Sequence, residues 1–485
     1  MEFELSFLCI FLFIASLILC ILLSTRNSKS IFNNLPLPPG STGLPVLGET
    51  LEFSSMGKRG IPEKFLMDRM NKYSHQVFKT SLLGEITAVC CGVSGNKFLF
   101  SSSHQNNDLI AFSWPSSAKK IFPHSGETTK TINHNAMRFR SIFFGFFKLE
   151  MLQNCVVLVD VVAKEHLENH WNMEQKEVNV VSMVKLFAFT SACRLFLNLE
   201  NRDEIDHLAA PFEEIVAGIF SIPVNLPGTA CRRGIKAANA IRKKLVEIIR
   251  EKKKKGMMDN QDCLSHLLTV TDGNDRLSTE LEVADQILAS LAGSRDSTTS
   301  AITFIMKYLA EFPHIYHEVL KEQRSIAEAK SSSGEPLNWK DLQKMKYTWN
   351  VASEVLRLLP PVQGNFREAL VDLNYSDFFI PKGWKLYWSP HTTHRNPEYF
   401  PEPEKFDPSR FERTHPIPYA YVPFGGGSRV CPGKDIARLV ILVFMYNVVG
   451  KFRWEKMIPD EEIMVLPVPF PVKGLPIRLY PNQKS

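Results

Sequence analysis

Apolar residues recur at helical spacing along most of this chain. The pattern predicts amphipathic helices over residues 235–250, 281–312, 315–329, 345–358 and 434–449. Shorter apolar runs of the length of strands occur at 77–91, 373–380, 384–388 and 475–480. No internal repeat and no second linker rich in proline, glycine or serine follows Gly48. The sequence therefore predicts a mainly α protein with small β-sheets, folded as a single large domain over residues 49–485.

The N-terminal segment has the length and composition of a membrane anchor. Residues 5–23 carry no charge, and at ~1.5 Å per residue such a helix spans a hydrocarbon core of roughly 30 Å. A cleaved signal peptide is the alternative, but no basic residue precedes the apolar run. Arg26 and Lys29 follow the run, which places the rest of the chain in the cytosol. We predict an anchor over 1–25 and a basic, proline-rich hinge over 26–48, whose prolines form an extended strut unless the linker is simply flexible.

Composition narrows the class of protein. Of the 485 residues, 44% are hydrophobic, which is enough for a deep core, and the formal charge is only +6. That balance argues against a nucleic-acid-binding protein, and the lysine run at 252–255 is interpreted as a solvated loop. The nine cysteines form no CxxC pair and no Cys/His cluster, which argues against a zinc site and a disulfide framework. Every cysteine except Cys431 is interpreted as a small, reduced, buried hydrophobe.

The stretch from Phe424 to Gly433 carries the candidate chemistry. It reads Phe-Gly-Gly-Gly-Ser-Arg-Val-Cys-Pro-Gly and leads directly into the predicted helix 434–449. The glycines let the backbone turn tightly and bring N–H groups near the sulfur of Cys431, and the helix N-terminus favours an ionised thiol. A cysteine in this setting is a metal ligand or a nucleophile. A phosphate-binding loop is the alternative, but the stretch lacks the lysine-serine ending of such loops and would leave the cysteine unexplained.

This stretch resembles the haem-binding signature of the cytochrome P450 family, Phe-x-x-Gly-x-Arg-x-Cys-x-Gly, at all five fixed positions. The resemblance covers essentially the whole chain and implies the P450 fold, with haem b (iron protoporphyrin IX) as cofactor. Cys431 would be the axial ligand of the haem iron. The residues that the resemblance assigns to cofactor binding are Cys431, Arg429, Phe424, Gly425, Gly433, Arg367 and Arg138. Arg138 stands in because the family's Trp-x-x-x-Arg is absent, and a surface arginine is the alternative for Arg367.

A second element of the family lies upstream of the cysteine loop. Glu354 and Arg357 are three residues apart on the predicted helix 345–358, and Arg410 follows in Phe-Asp-Pro-Ser-Arg-Phe. By resemblance, these three side chains form a buried structural triad that supports the cysteine loop. Taken alone, Glu354 and Arg357 would be an ordinary surface pair.

The long predicted helix 281–312 opens with Thr279 and Glu282 at the spacing of a capping box. Its centre reads Ala-Gly-Ser-Arg-Asp-Ser-Thr over 292–298 and resembles the oxygen-activation motif of the family. By resemblance, Asp296 relays protons and Ser297, where most relatives carry threonine, steadies bound oxygen, with Thr298 as a substitute hydroxyl. The glycine and the hydroxyls of this motif weaken the helix backbone and are expected to open a groove for oxygen, and Arg295 is an unusually bulky charged residue beside that groove. An ordinary helix rich in Ser and Thr is the alternative.

Three segments, 114–117, 361–368 and 381–386, resemble a plant branch of the family that oxidises cyclic terpenoids. The resemblance implies oxidation of a pentacyclic triterpene such as β-amyrin, from the C-28 methyl group to an alcohol, an aldehyde and a carboxylic acid. The alternatives are oxidation of the triterpene at another carbon and oxidation of a taxane-like diterpene. By family position, the substrate pocket draws on Phe112, Ile219, Leu288, Ala292, Val362 and Val468, although apolar residues at helical spacing are more often plain core.

No dinucleotide-binding fingerprint or flavin domain follows the cysteine loop, so the electrons must come from a partner. By resemblance, that partner is an NADPH-dependent cytochrome P450 reductase in the same endoplasmic reticulum membrane, and O2 is the co-substrate. The chain is expected to act as a monomer with a single-pass anchor and no nucleic-acid partner. Two other classes stay open: a haem isomerase or dehydratase that needs no external electrons, and a non-catalytic haem-binding membrane protein.

Overall fold

The computed structural model describes Ser16 and residues 35–45, 47–105, 109–123, 142–171, 177–255, 262–269, 279–331, 335–413 and 416–482. The helices whose bounds it defines are α1 (Thr50–Lys58), α2 (Pro62–Lys72), α3 (Gly92–Gln105), α4 (Ser116–Ile121), α5 (Leu149–His170), α6 (Val180–Leu197), α7 (Arg202–Ala209), α8 (Phe212–Ile219), α9 (Ala230–Lys255), α10 (Cys263–Thr269), α11 (Glu280–Glu311), α12 (Pro313–Ser331), α13 (Trp339–Lys344), α14 (Lys346–Leu358), α15 (His391–His394), α16 (Arg410–Arg413) and α17 (Lys434–Lys451). The strands are β1 (Val77–Leu82), β2 (Glu85–Cys90), β3 (Ile110–Phe112), β4 (Glu177–Asn179), β5 (Asn365–Ala369), β6 (Leu373–Tyr375), β7 (Phe378–Ile380), β8 (Lys385–Trp388), β9 (Phe452–Lys456), β10 (Ile463–Val465), β11 (Pro469–Pro471) and β12 (Pro476–Pro481).

The longest helix, α11, is defined at both ends by local chemistry. Thr279 accepts a hydrogen bond from the Glu282 N–H at 3.3 Å, and the Glu282 carboxylate accepts the Thr279 N–H at 2.8 Å. This reciprocal pair satisfies N–H groups that have no partner inside the helix, so the predicted capping box is confirmed. At the other end, Pro313 disfavours helical backbone at Phe312, which leaves the helix at φ −122° and ψ 81°.

One large core joins the helices. Buried apolar side chains of α5, α6, α11, α14 and α17 form a continuous cluster, and α11 packs against both α6 and α17. Within the described part of the chain, α6 is the one helix long and apolar enough to cross a membrane, yet most of it is buried among other helices. It is therefore a core helix of the body. Except for Ser16, the predicted anchor over 1–25 lies outside the described residues.

The strands form small sheets at the side of the helical core. The largest has five strands in the order β1-β2-β8-β5-β3, in which only β2 and β8 run parallel. The run predicted over 77–91 is a hairpin, because Leu83 and Gly84 adopt positive φ angles of 55° and 80° and reverse the chain. The run predicted over 373–380 is likewise a hairpin of β6 and β7.

The predicted helices correspond to α9, α11, α12, α14 and α17. Their bounds differ from the prediction by at most two residues, except that α9 extends five residues further at each end. One interpretation was wrong: the lysines at 252–255 form the last turn of α9 and are not a loop. Lysines in the last turn stabilise a helix, because their positive charge lies near the exposed carbonyl groups of its C-terminus. Lys252 also reaches the carboxylate of Asp262, and Lys253 reaches Glu280 at 3.2 Å, so part of the run is held by ion pairs.

Candidate active site

The cysteine loop is a tight turn that ends at a helix. The Cys431 N–H donates to the Phe424 carbonyl at 2.9 Å, and the Val430 N–H donates to the Gly427 carbonyl at 3.1 Å. A short 3-10 turn spans Gly427–Arg429, and α17 begins at Lys434 with Gly433 as its N-cap. Cys431 thus lies just outside a helix N-terminus, where the positive end of the helix dipole favours an ionised sulfur.

Two of the loop glycines are required by a neighbour that the sequence did not reveal. A Cβ atom at Gly427, which has φ +66°, would lie 2.1 Å from the Phe100 carbonyl oxygen. A Cβ atom at Gly426 would lie 2.5 Å from the Phe100 ring. The fully buried Phe100 of α3 therefore lies directly against the loop, and the signature glycines serve this close approach as well as the turn.

Cys431 differs from the other cysteines in its exposure. Among the described cysteines, Cys431 is partly exposed and the other six are buried. Burial raises the pKa of the Cys90 and Cys155 thiols to about 12, so these thiols stay protonated at neutral pH. The expectation that the remaining cysteines are small buried hydrophobes is therefore confirmed for those that the structure describes. Of the cysteines that the structure describes, Cys431 is the one with exposed surface for a ligand.

The centre of α11 also has free space beside it, at Gly293. Gly293 is exposed although the helix is a core element, and a Cβ atom built on it would meet nothing within 4 Å. A helix centre in a packed core normally has no free space. The open position at Gly293, the partly exposed Cys431 and the loop geometry together fit a large planar group such as haem. Cys431, Arg429 and Arg367 are the residues that would hold it.

The structure brings Glu354, Arg357 and Arg410 together. Arg357 donates to the Glu354 carboxylate through Nε at 2.7 Å and Nη2 at 2.8 Å, and Arg410 Nε donates to the same carboxylate at 3.1 Å. Glu354 and Arg357 are fully buried, so this is not the surface pair that spacing alone suggested. A buried carboxylate with two guanidinium partners is compensated, whereas removal of one partner leaves an unpaired charge.

His394 connects this triad to the segment just before the cysteine loop, a role that no sequence pattern indicated. Its ring Nδ1 lies 3.1 Å from the Arg357 carbonyl, and its Nε2 accepts the Val422 N–H at 2.9 Å. Since Nε2 accepts, Nδ1 carries the proton and donates to Arg357. Burial lowers the pKa of His394 well below its usual value, so the ring is neutral and this bridge persists at physiological pH.

The residues of the oxygen-activation motif on α11 differ in their burial and in their partners. Ser297 is half-buried and donates its hydroxyl to the Gly293 carbonyl at 2.7 Å, one turn back along the helix. Thr298 is buried at 6% exposure. Asp296 is buried as well, and burial raises the pKa of its carboxyl group above the ordinary value. Arg295 does not fill the groove, because its side chain is buried and pairs with Glu213 of α8.

Arg367 lies on β5 opposite Phe112 of β3. The Arg367 guanidinium lies 4.9 Å from the Phe112 ring centroid, and Arg367 is buried at 4% exposure, which contradicts the surface-arginine alternative. Arg138, the other arginine assigned to the cofactor, lies outside the described residues. Arg429 is half-buried at the end of the 3-10 turn.

The predicted pocket residues differ in exposure. Phe112, Ala292 and Val468 are half-buried, and Val362 is 42% exposed. Ile219 is the last residue of α8 and is buried, while Leu288 has no exposed surface and belongs to the continuous core. Phe112, Ala292, Val468 and Val362 therefore have exposed surface for a ligand in this structure.

Comparison with known proteins adds three findings. The model of the family described as Cytochrome P450 matches residues 38–473. The "Beta-amyrin 28-monooxygenase" of Medicago truncatula is 49% identical over 486 residues, which cover 99% of each chain, and that of Solanum lycopersicum is 50% identical over 98% of each. Among solved structures, the retinoic acid bound cyanobacterial CYP120A1 superposes with a TM-score of 0.82 at 32% identity, covering 92% of this chain and 100% of that one.

Proposed function

The chain belongs to the cytochrome P450 family and is a monooxygenase, and on that premise we propose that it oxidises the C-28 methyl group of a pentacyclic triterpene of the β-amyrin type. The observation that carries the proposal is the similarity, over nearly the whole chain, to several relatives that bear the name of this activity. The expected P450 fold, mainly α with small sheets, is confirmed by the family match and the solved neighbour.

Haem iron with a thiolate ligand supplies O2 activation, and a reductase supplies the electrons from NADPH. In each round, one oxygen atom enters the substrate and the other leaves as water, with two electrons and two protons consumed. Successive rounds at one methyl group give an alcohol, then an aldehyde, then a carboxylic acid. The need for external electrons separates this proposal from an isomerase or a dehydratase.

The chain's own residues have distinct tasks in this reaction. Cys431 would hold the iron through a sulfur whose ionised form the adjacent helix N-terminus favours, and the loop with Phe424, Gly425 and Gly433 would fix the direction of that sulfur. Arg429 and Arg367 provide positive charge for the carboxylates of the cofactor, since guanidinium groups pair with carboxylates in a fixed geometry. The triad and His394 keep this loop in place. Arg138 belongs to the same proposal.

Proton supply falls to α11. Asp296 holds a proton more readily than an exposed aspartate, because its carboxylate is buried and burial raises its pKa. Ser297 has a hydroxyl that leaves the Gly293 carbonyl by a simple rotation and donates to a nearby acceptor. Thr298 would be the second hydroxyl. Asp296 and Ser297 would hold protons taken from solvent at the centre of α11 and donate them there, a task of general acid catalysis.

The proposal includes the cellular setting. Residues 1–25 would anchor the chain in the endoplasmic reticulum membrane by a single pass, and 26–48 would be the hinge that carries a monomeric cytosolic catalytic domain over 49–485. The NADPH-cytochrome P450 reductase of the same membrane would be its partner. A hydrophobic triterpene would reach Phe112, Ala292, Val362 and Val468 from the bilayer, whereas Ile219 and Leu288 are buried in the core.

Substrate assays test the proposal directly. Microsomes that contain this chain and a reductase are supplied with NADPH and, separately, with α-amyrin, β-amyrin, lupeol or a taxane diterpene, and the products are identified by mass spectrometry. We expect β-amyrin to yield the C-28 alcohol, aldehyde and acid. Oxidation of the diterpene alone would refute the triterpene assignment, and oxidation of β-amyrin at another carbon would refute the position. Product formed without NADPH would point to the isomerase class.

Removal of the Ser297 hydroxyl should uncouple oxygen use from product. In Ser297→Ala we expect the peroxide released per NADPH to rise about tenfold, less than the roughly 10²–10⁴-fold that a positioned proton donor contributes, because Thr298 is a second hydroxyl. Ser290→Ala is the matched control, because Ser290 lies on the same helix and makes the same bond to the carbonyl one turn back, at 2.7 Å to Gln286. Equal peroxide yields in the two variants would remove Ser297 from oxygen handling.

A further inference from the structure

Arg295 of α11 is a buried arginine that lies near two carboxylates, those of Glu213 and Asp296. Its side chain is 5% exposed, and its Nη2 donates to Glu213 Oε1 of α8 at 2.6 Å. Lys185 of α6 approaches the same oxygen at 2.8 Å. Glu213 therefore binds two cations that come from two different helices.

Asp296, the neighbour of Arg295 in sequence, is the other carboxylate. Arg295 Nη1 lies 3.6 Å from Asp296 Oδ1, which is too long for a hydrogen bond. In the described part of the chain neither of these two buried atoms has a hydrogen-bond partner. A buried carboxylate oxygen without a hydrogen-bond donor is costly in the ionised form, and burial raises the pKa of Asp296.

The charges around Asp296 act in opposite directions. The charged groups that act on it are Arg295 on its own helix, Lys185 on α6 and Glu213 on α8. Burial raises the pKa of Asp296, the two cations lower it, and Glu213 raises it again. Glu213 has this effect both through its own negative charge and by directing the Arg295 guanidinium away from Asp296.

We infer that Glu213 is a positioning residue for proton delivery, since it holds Arg295 off Asp296 and so leaves Asp296 able to carry a proton at the groove of α11. The inference rests on the proposed function, in which Asp296 passes protons to oxygen.

Replacement of Glu213 by glutamine tests this role. In Glu213→Gln the guanidinium of Arg295 is free to approach Asp296 more closely than the present 3.6 Å, which lowers the pKa of that carboxyl group, as an opposite charge at close range does. A proton donor is active in its protonated form, so product per NADPH falls as the pH rises through this pKa. We therefore expect the pH of half-maximal coupling to move down by about one unit, and peroxide per NADPH at neutral pH to rise several-fold.

The chain offers a matched control and a rescue. Glu214 is the next residue of α8 and also pairs with an arginine, Arg233 at 2.8 Å. Both glutamates are largely exposed, but the Arg233 side chain is 50% exposed whereas that of Arg295 is 7% exposed, and the charges that act on Asp296 are Arg295, Lys185 and Glu213. Glu214→Gln should leave the pH profile unchanged. The double variant Glu213→Gln/Arg295→Leu should move the profile back up, because it removes the competing cation. A profile that stays low in the double variant would overturn the inference.

A stability measurement gives a readout that does not depend on turnover. The pKa of Asp296 is raised in the folded protein, so its ionisation costs stability as the pH rises above the value of an unfolded aspartate. Asp296→Asn should then raise Tm at neutral pH. In the Glu213→Gln background the ionised carboxylate pairs with Arg295, and the same substitution should lower Tm. Equal changes of Tm in both backgrounds would contradict the inference.

The two proposals fail separately. If no triterpene is oxidised, the Tm comparison still decides the role of Glu213, because it needs no substrate. If β-amyrin is oxidised at C-28 but the Glu213→Gln and Glu214→Gln profiles coincide, the positioning role is wrong and the proposed function stands.

Discussion

We expect Cys431→Ala to abolish monooxygenase turnover altogether and to remove the red-shifted absorption band that reduced, carbon-monoxide-bound haem shows with a thiolate ligand. No other described cysteine has exposed sulfur, so none is placed to substitute. The alanine side chain is smaller than cysteine and fits the turn closed by the Cys431 N–H bond to Phe424, so the body should fold. The measurements are the carbon monoxide difference spectrum and product per NADPH.

Cys193→Ala is the control for this prediction. Cys193 is fully buried in α6, and burial raises the pKa of its thiol, so it is protonated and chemically inert. The band and the turnover should be retained in this variant. A Cys431→Ala protein that folds, binds haem and keeps the band would contradict the assignment of the iron ligand.

Loss of the buried carboxylate should have the largest effect on stability. In Glu354→Ala we expect the free energy of unfolding to fall by about 3–5 kcal/mol, the typical cost of leaving buried partners uncompensated. Arg357 would be left with carbonyl oxygens only, at His394 and Lys405, and Arg410 would lose its carboxylate. Calorimetry should show a lower Tm and earlier loss of the Cys431 spectral band on heating.

A surface pair at the same spacing is the control. Glu318 and Lys321 are also three residues apart on a helix, with their charged groups 3.9 Å apart and the side chains 58% and 80% exposed. Such exposed pairs contribute about 0–1 kcal/mol, so Glu318→Ala should leave Tm almost unchanged. Similar losses of stability in Glu354→Ala and Glu318→Ala would show that the triad is not a support of the loop.

The arrangement of the triad explains how a distant residue supports the cysteine. Glu354 binds Arg357, the Arg357 carbonyl accepts a hydrogen bond from His394 Nδ1, and His394 Nε2 accepts one from the Val422 N–H just before the loop. Each link is buried, so water does not compete for the hydrogen bonds. A change at α14 therefore reaches the loop through two hydrogen bonds and one ion pair.

Local chemistry in the sequence determined the long helices, the capping box of α11 and the loop around Cys431, because each depends on residues that are neighbours along the chain. The family resemblance, in turn, predicted the fold and the enzyme class. Both were then confirmed by the family match.

Tertiary packing decided the rest. The turn between β1 and β2, the exposure of Cys431 and the approach of Phe100 to Gly427 follow from how distant segments pack. Arg295 pairs with Glu213, 82 residues away. His394 joins α14 to the segment before the cysteine loop, and the local sequence of neither segment predicts this contact. Side-chain partners of this kind are set by the three-dimensional distance between buried groups and by the cost of burying a charge alone, neither of which is encoded in local spacing.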